Sequence, residues 1–330
     1  MKFLIAGSGS IGRRHIRNLL SLGETDITLF RTHQATLPDD ELKRFPVETD
    51  LHKALENQPD AVIISNPTSK HMDVALPASQ AGIHMLIEKP VSDSLVQTDQ
   101  LAEVIAQNGC RVLVGFQFRF HPVLQQVRQL LLDGAMGKVI SIRAHWGEYL
   151  PGWHPWEDYR VSYASRNDLG GGVVLTLSHP LDYLRWMVGE VKTVSANIGK
   201  ISELELSVDD NAEITLEFAS GCVGQVHLDY YQRPPEHRLE ITTSEGTIQW
   251  QNASGAARVY HVERGWSDLQ PPVGFDRNDM FIAEMRHFLE VVRGNQDPVC
   301  SFNDGVSALK IALGAHRSTE LQGKAVGLDA

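Results

Sequence analysis

Gly7, Gly9 and Gly12 stand in the GxGxxG spacing of IAGSGSIG, directly after a short apolar run and at the start of a stretch with helical periodicity. In that context Gly7 permits a tight turn, Gly9 lets the backbone approach a pyrophosphate, and Gly12 lets the helix pack against the strand. The anion would rest on the free amide groups of the helix N-terminus, at Ser10 and Ile11. The alternative is a glycine turn kept for packing alone. The next apolar run ends LFRTH, so Phe30 and Arg31 occupy the place where an acid is expected to accept from the adenosine ribose hydroxyls. An arginine there favours a 2′-phosphate, which tilts the cofactor expectation from NAD towards NADP, with Thr32, His33 or Arg13 as helpers. A solvated loop arginine is the other reading.

Glu88 and Lys89 follow the apolar run Met85-Leu86-Ile87, and Pro90 follows them. A charged pair straight after a buried strand costs desolvation unless the charge is used or paired. At the carboxyl end of a parallel strand the pair would face the nicotinamide end of a cofactor crevice; a structural Lys–Glu pair fits the same position equally well. Further on, Gly170 to Gly172 allow a close turn, after which His179 and Asp182 lie three apart on one helical face. An imidazole titrates near neutral pH and suits proton removal from an alcohol, although a histidine before a proline in an apolar segment is more often a helix-start or core residue. The stretch GEYLPGWHPWEDYRVSYASRNDLGGG supplies Trp153, His154, Asp158 and Tyr163, rings and charged tips suited to a sugar-binding loop or to a core or dimer contact. No pair of residues has the HxxxH or HExxH spacing, so no metal is expected.

The elements that must position these groups fall into two textures. KFLIA, DITLF, AVIIS, HMLIE and RVLVGF read as strands alternating with amphipathic helices, which implies a doubly wound parallel sheet over residues 1–121. After the linking helix HPVLQQVRQLLLDGAMG, the runs KVISIRAHW, VKTVSANIG, NAEITLEFAS, CVGQVHLDYY, HRLEITTS, GTIQWQ and ARVYHV predict an α+β domain over 122–330, built on a large, mainly antiparallel sheet and closed by two helices. At 330 residues with 42% apolar and 22% charged residues, the chain has ordinary soluble composition and is long enough for two cores. The formal charge of −11, without a clustered basic face, argues against nucleic acid or an anionic membrane as partner. No apolar run reaches the length of a membrane span or a targeting core, and Cys110, Cys222 and Cys300 form no CxxC, so a reducing, cytoplasmic setting is expected.

The stretch SNPTSKHMDVALPASQAGIHMLIEKPVSDS resembles the signature of the glucose-fructose oxidoreductase, inositol dehydrogenase and rhizopine-catabolism (Gfo/Idh/MocA) superfamily, and the resemblance continues through VGFQFRFHP, GKVISIRAHW, LGGGVVLTLSHPLDYLRWMVGEV, HRLEITTSEGTIQW and DGVSALKIALGAHRSTE. It implies a Rossmann domain followed by an open-faced β-sheet domain, with a sugar or polyol between them. It also implies that Lys89 hydrogen-bonds the reacting hydroxyl, that Glu88 orients Lys89 or the cofactor, and that Asn66, Pro67 and His71 line the cofactor's ribose and nicotinamide. Arg119 matches an arginine near the active-site side of the domain junction and is expected, with Thr176 and Asp182, to touch substrate, and His179 becomes the proton-handling partner of Lys89. Many relatives carry an aspartate four residues before this histidine; here Leu175 stands there, and Thr176 is the nearest polar neighbour, able to donate or accept but not to carry charge.

The resemblance thus points to an NAD(P)-dependent dehydrogenase or reductase of a sugar, amino sugar or cyclitol, working as a homodimer or homotetramer. Its rivals are an NAD-dependent glycoside hydrolase with a closed redox cycle and a non-catalytic nucleotide sensor, the latter suggested only by the absent aspartate.

Overall fold

Near-continuous aliphatic runs suit a parallel sheet covered on both faces. The computed structural model describes residues 1–31, 40–154 and 157–328. In it β1 (Lys2–Ala6), β2 (Asp26–Phe30), β3 (Val47–Glu48), β4 (Ala61–Ile64), β5 (His84–Glu88) and β6 (Val112–Gly115) form one sheet in the order β3-β2-β1-β4-β5-β6. All its pairings are parallel. Phe3 to Ala6, Ala61 to Ile64 and Met85 to Ile87 are essentially inaccessible, as the sequence pattern requires. Helices α1 (Ser10–Ser21), α2 (Leu51–Glu56), α3 (His71–Gln80) and α4 (Thr98–Asn108) supply the crossovers. The strand order reverses between β1 and β4, and ligands of doubly wound sheets bind outside the strand carboxyl ends at such a point. Gly7, Arg31, Ser65 and Lys89 all sit just beyond those ends.

The second sheet is built from β7 (Val139–Gly147), β8 (Val191–Gly199), β9 (Asn211–Phe218), β10 (Val223–Asp229), β11 (Glu236–Thr243), β12 (Gly246–Gln251), β13 (Ala257–His261), β14 (Gly265–Leu269) and β15 (Val326–Gly327). Its order is β14-β13-β12-β11-β7-β10-β9-β8-β15, antiparallel throughout except for the parallel pair β7 and β10. Strict alternation divides its faces. Ile142, Ala144, Trp146, Ile214, Leu216, Val226, Leu228, Leu239, Ile241 and Trp250 are buried on one side, while Arg143, Glu213, Thr215, Glu217, Gln225, Arg238 and Glu240 lie on the other. Helices α5 (Pro122–Leu132), α6 (Val173–Thr176) and α7 (His179–Val188) precede β8; α8 (Arg277–Arg293) and α9 (Phe302–Glu320) follow β14.

The chain divides into two compact units, Met1–Gln117 with Arg277–Val306, and Phe118–Asp276 with Ser307–Ala330. The sequence expectation assigned everything beyond residue 121 to one domain; instead α8 returns to the first unit. α8 carries a buried apolar face, Met280, Phe281, Met285 and Phe288 among it, and against α1 Arg14 lies 4.6 Å over the Phe281 ring while Asn278 donates to Asn18 Oδ1 at 3.1 Å. Among the described residues no helix is long and apolar enough to cross a membrane.

His121 caps α5, its Nδ1 accepting from the amides of Val123 at 3.2 Å and Leu124 at 3.4 Å, which only a neutral ring can do. Burial pushes its pKa down to about 4 from the ordinary 6.5. The folded state therefore binds fewer protons than the unfolded chain between those values, and stability from this group is lost as pH falls from about 6.5 to about 4. His121→Asn keeps a capping oxygen but loses the ring contacts with Trp250 and Phe275. Urea melts should show it about 2 kcal/mol less stable at neutral pH, with the gap to wild type narrowing steadily as pH approaches 4.

Candidate active site

The glycine turn has the steric requirements its spacing predicts. Gly7 has φ +101°, and a Cβ there would lie 2.4 Å from the Asn66 amide nitrogen, so β1 and β4 can approach only with glycine present. A Cβ on Gly12 would fall 2.1 Å from the Gly7 carbonyl oxygen. A Cβ on Gly9, by contrast, would meet nothing within 4 Å. Gly9 caps α1 with extended backbone and no side-chain cap, leaving the first-turn amides, Ser10 and Ile11 among them, for an anion. These residues fit a dinucleotide pyrophosphate.

Arg31 lies buried just after β2, its amide donating to the Glu48 carbonyl at 3.2 Å. Arg13 is buried too; its Nε donates to the Ser8 carbonyl at 2.9 Å and its Nη1 reaches Glu41 at 3.0 Å. Glu41, which the sequence reading did not single out, is held below the usual carboxylate range mainly by Arg17, with Arg13 adding to the effect. Thr32 and His33 lie outside the described residues.

Beyond β4 and β5 the loops are braced together. His71, 1% exposed, has its Nδ1 3.0 Å from the Pro90 carbonyl and its Nε2 3.0 Å from the Asn66 carbonyl. Burial lowers its pKa, and a neutral ring donates to one of these oxygens at a time. Asn66 itself donates through Nδ2 to the Lys70 carbonyl at 2.9 Å, and Pro67 precedes the turn Thr68–Lys70. His71 thus ties the Asn66 loop to the segment that carries Lys89.

Glu88 is buried at the end of β5. Its Oε1 accepts from His15 Nε2 at 2.7 Å, and its Oε2 from the Lys89 amide at 3.2 Å. Burial alone would raise this carboxyl, but the His15 hydrogen bond, the His15 charge and Lys89 together bring it below the ordinary range. Its register partner on β6 is Gly115, where a Cβ would stand 3.2 Å from the carboxylate. Lys89 is half-buried at the strand's carboxyl end. Behind this pair, on α8, lies Glu284, 0% exposed, with neither carboxyl oxygen hydrogen-bonded among the described residues. Burial, reinforced by the Glu88 charge, raises its pKa well above the carboxylate range, so it is held protonated. Sequence reasoning missed both His15 and Glu284. His15 could have been found from its place three residues past Gly12, on the helix that the motif opens; Glu284 carries no local signal.

In the second unit His179 opens α7 and is 2% exposed. Its ring meets Phe118 edge-on at 5.0 Å and lies against Trp146 at 5.6 Å and 27°. Trp146 in turn stacks on His237 at 4.2 Å. Arg119 and Asp182, expected to touch substrate, form a buried two-pronged ion pair with each other, Nε to Oδ2 at 2.9 Å and Nη2 to Oδ1 at 2.6 Å. That pair fastens the first turn of α7 to the turn carrying Phe118. Thr176 is buried on α6 beside Tyr230, whose hydroxyl burial keeps protonated. Asp209, another residue missed, caps α6 by accepting from Val173 N at 3.1 Å through its carbonyl and from Val174 N at 3.2 Å through Oδ2. Trp153 sets its ring edge-on to Tyr230 at 5.6 Å, and His154 follows it. Asp158 instead holds Arg160, at 2.8 Å, on the surface, and Tyr163 is 38% exposed nearby in sequence.

Known proteins resemble the chain in both of its parts. Residues 1–116 match the oxidoreductase family with an NAD-binding Rossmann fold, and residues 124–249 match the GFO/IDH/MocA C-terminal domain. The scyllo-inositol 2-dehydrogenase (NAD(+)) of Bacillus subtilis (strain 168) is 30% identical over 78% of this chain and 75% of its own. A D-xylose 1-dehydrogenase (NADP(+)) of Haloferax volcanii is 24% identical over 100% of both chains. Among solved structures, levoglucosan dehydrogenase in complex with NADH and levoglucosan shares the fold at a TM-score of 0.89 and 19% identity, covering 100% of both chains.

The protonated Glu284 has a consequence for stability. A carboxyl whose pKa is higher folded than unfolded makes the native state bind the extra proton, so stability falls as pH rises above the ordinary carboxylate value towards the folded one. Glu284→Gln removes that linkage. The melting temperature of the variant relative to wild type should climb as pH rises above the ordinary carboxylate range; a constant difference across the pH series would mean that Glu284 is ionised in the fold.

Proposed function

The chain belongs to the GFO/IDH/MocA family of oxidoreductases, and from that premise we propose that it interconverts a secondary hydroxyl and a ketone on a sugar, amino sugar or cyclitol, with Lys89 and His179 handling the hydroxyl proton. The observation that carries this reading is the fixed Glu88–Lys89 junction at the β5 carboxyl end, its carboxylate bound by the helix whose N-terminus forms the anion cradle. Bound nicotinamide supplies the hydride acceptor or donor. Gly9 and the first-turn amides of α1 would hold its pyrophosphate, and Arg31 would meet a 2′-phosphate where one is present.

As a carbinol C–H bond yields its hydride, the hydroxyl proton must leave. The Lys89 ammonium hydrogen-bonds the oxygen and stabilises developing alkoxide, and the His179 imidazole takes up the proton. In the reverse direction the same pair protonates the oxygen. The hydrophobic flanks of His179, Phe118 and Trp146, keep its ring in one orientation. Trp153, His154, Asp158 and Tyr163 lie on the segment suited to reading sugar hydroxyls.

Two measurements test the proposal. On a panel of inositols, pentoses, hexoses and amino sugars, reduced nicotinamide should accumulate in proportion to product, whereas sugar release without net reduction would point to the hydrolase chemistry instead. On the best substrate, Lys89→Ala and His179→Ala should each lower kcat by about 10²-fold or more, with cofactor affinity nearly unchanged. Unchanged turnover in either variant removes that residue from the mechanism. For the cofactor, Arg31→Ala should raise KM for NADP by about tenfold or more, through the lost charge-assisted bond, while leaving KM for NAD within a factor of about two.

A further inference from the structure

Spacing along the chain gave no reason to expect a metal, but the register of the second sheet joins residues that sequence separates. β7 and β10 are the sheet's parallel pair, and in their register His145 lies beside His227, with Gly147 beside Asp229. Strand alternation sends His145, His227 and Asp229 to the polar face, opposite Trp146. The two imidazoles stack at 4.5 Å and 22°, and one ligand atom from each histidine and from Asp229 all fall within 4.8 Å of one another.

The surroundings are organised around these three groups. Asp229 is 1% exposed; its Oδ1 is fixed by the amides of Tyr231 at 2.9 Å and Gln232 at 2.6 Å, which leaves Oδ2 facing His227 Nε2 at 2.9 Å. His227 Nδ1 is 2.6 Å from Glu213 Oε1, the carboxylate contact that sets the tautomer and orientation of metal-bound histidines. His145 Nε2 is 2.6 Å from Gln232 Oε1. A Cβ on Gly147 would lie 2.2 Å from both Asp229 Oδ2 and Gln232 Oε1, so only glycine lets these two oxygens converge here.

We propose that His145, His227 and Asp229 form a site for a divalent transition metal of the zinc type, with Gln232 Oε1 alongside as a further oxygen and an open position for water. Two imidazoles and one carboxylate suit zinc, and a tetrahedral ion needs its ligand atoms about 3.4 Å apart, a small rotation from the observed spacing. The site lies on the sheet face opposite the Trp146 and His179 rings, so its role is structural and separate from hydride chemistry.

The test uses the full chain, stripped with chelator, desalted, and titrated with Zn²⁺ by calorimetry and with Co²⁺ by visible absorption. One ion per chain should bind, with a Co²⁺ spectrum of low-coordinate, nitrogen-containing character and a raised melting temperature. His145→Ala, His227→Ala and Asp229→Asn should each weaken binding by at least tenfold, and Glu213→Gln, which touches His227 alone, by about 10- to 100-fold. Any of the four that remains folded by circular dichroism suffices for the comparison. No saturable binding by wild type would mean that the cluster is only a histidine–carboxylate ion pair, and undiminished binding by a folded variant would put the ion elsewhere; either result overturns the proposal.

Discussion

The Glu88 carboxylate, buried and ionised, is the constraint on which the first unit depends. A buried charge persists only where donors replace the water it has lost. Here the donors are His15 Nε2 and the Lys89 amide. His15 is six residues beyond Gly9, so the helix whose first-turn amides lack a side-chain cap also holds Glu88 about 9 Å further along its axis. Cofactor cradle and lysine backbone are thereby referenced to one rigid element. Gly115 completes the arrangement, since any side chain at that register position would press on the carboxylate.

The second unit solves a similar problem with an ion pair. Burying Arg119 and Asp182 together gains little stability over an apolar pair of the same shape, because desolvation offsets most of the Coulomb attraction. What the pair supplies is direction. A two-pronged guanidinium–carboxylate contact fixes both planes, and Asp182 lies in the first turn of α7, where the helix dipole favours an anion. His179 begins that turn, so its ring is set by the same contact that excludes Arg119 and Asp182 from free solvent. Their mutual bonds suit both residues to positioning.

Local patterns carried much of this architecture. The glycine spacing, the aliphatic runs and the alternation in NAEITLEF each encode an element within a few residues, and those elements stand where the patterns put them. β3 and β15 are two residues long and show no period at all. The return of α8 to the first unit brings Phe281 and Asn278 to Arg14 and Asn18, contacts separated by some 260 positions. Arg119 and Asp182 looked available because their partnership spans 63 residues. The His145 and His227 neighbourhood follows from sheet register alone, and no linear spacing encodes it. The glutamate of the Glu-Lys-Pro stretch was legible, whereas the histidine that keeps it charged was not, because helix α1 reads as amphipathic whether or not His15 faces the sheet.

Glu88 and Glu284 show how a fold decides which of two buried carboxyls keeps its charge. Each is desolvated, and each would be repelled by the other if both were ionised. The outcome turns on donors: Glu88 has a ring N–H and a backbone N–H, and Glu284 has none among the described residues. The proton therefore goes to Glu284, and a single negative charge is left, fixed beside Lys89. Were the proton on Glu88 instead, its Oε2 would accept more weakly from the Lys89 amide and the ammonium would lose that countercharge. A buried glutamate remote from any reacting atom thus helps set the electrostatics of the lysine, by declining to be charged.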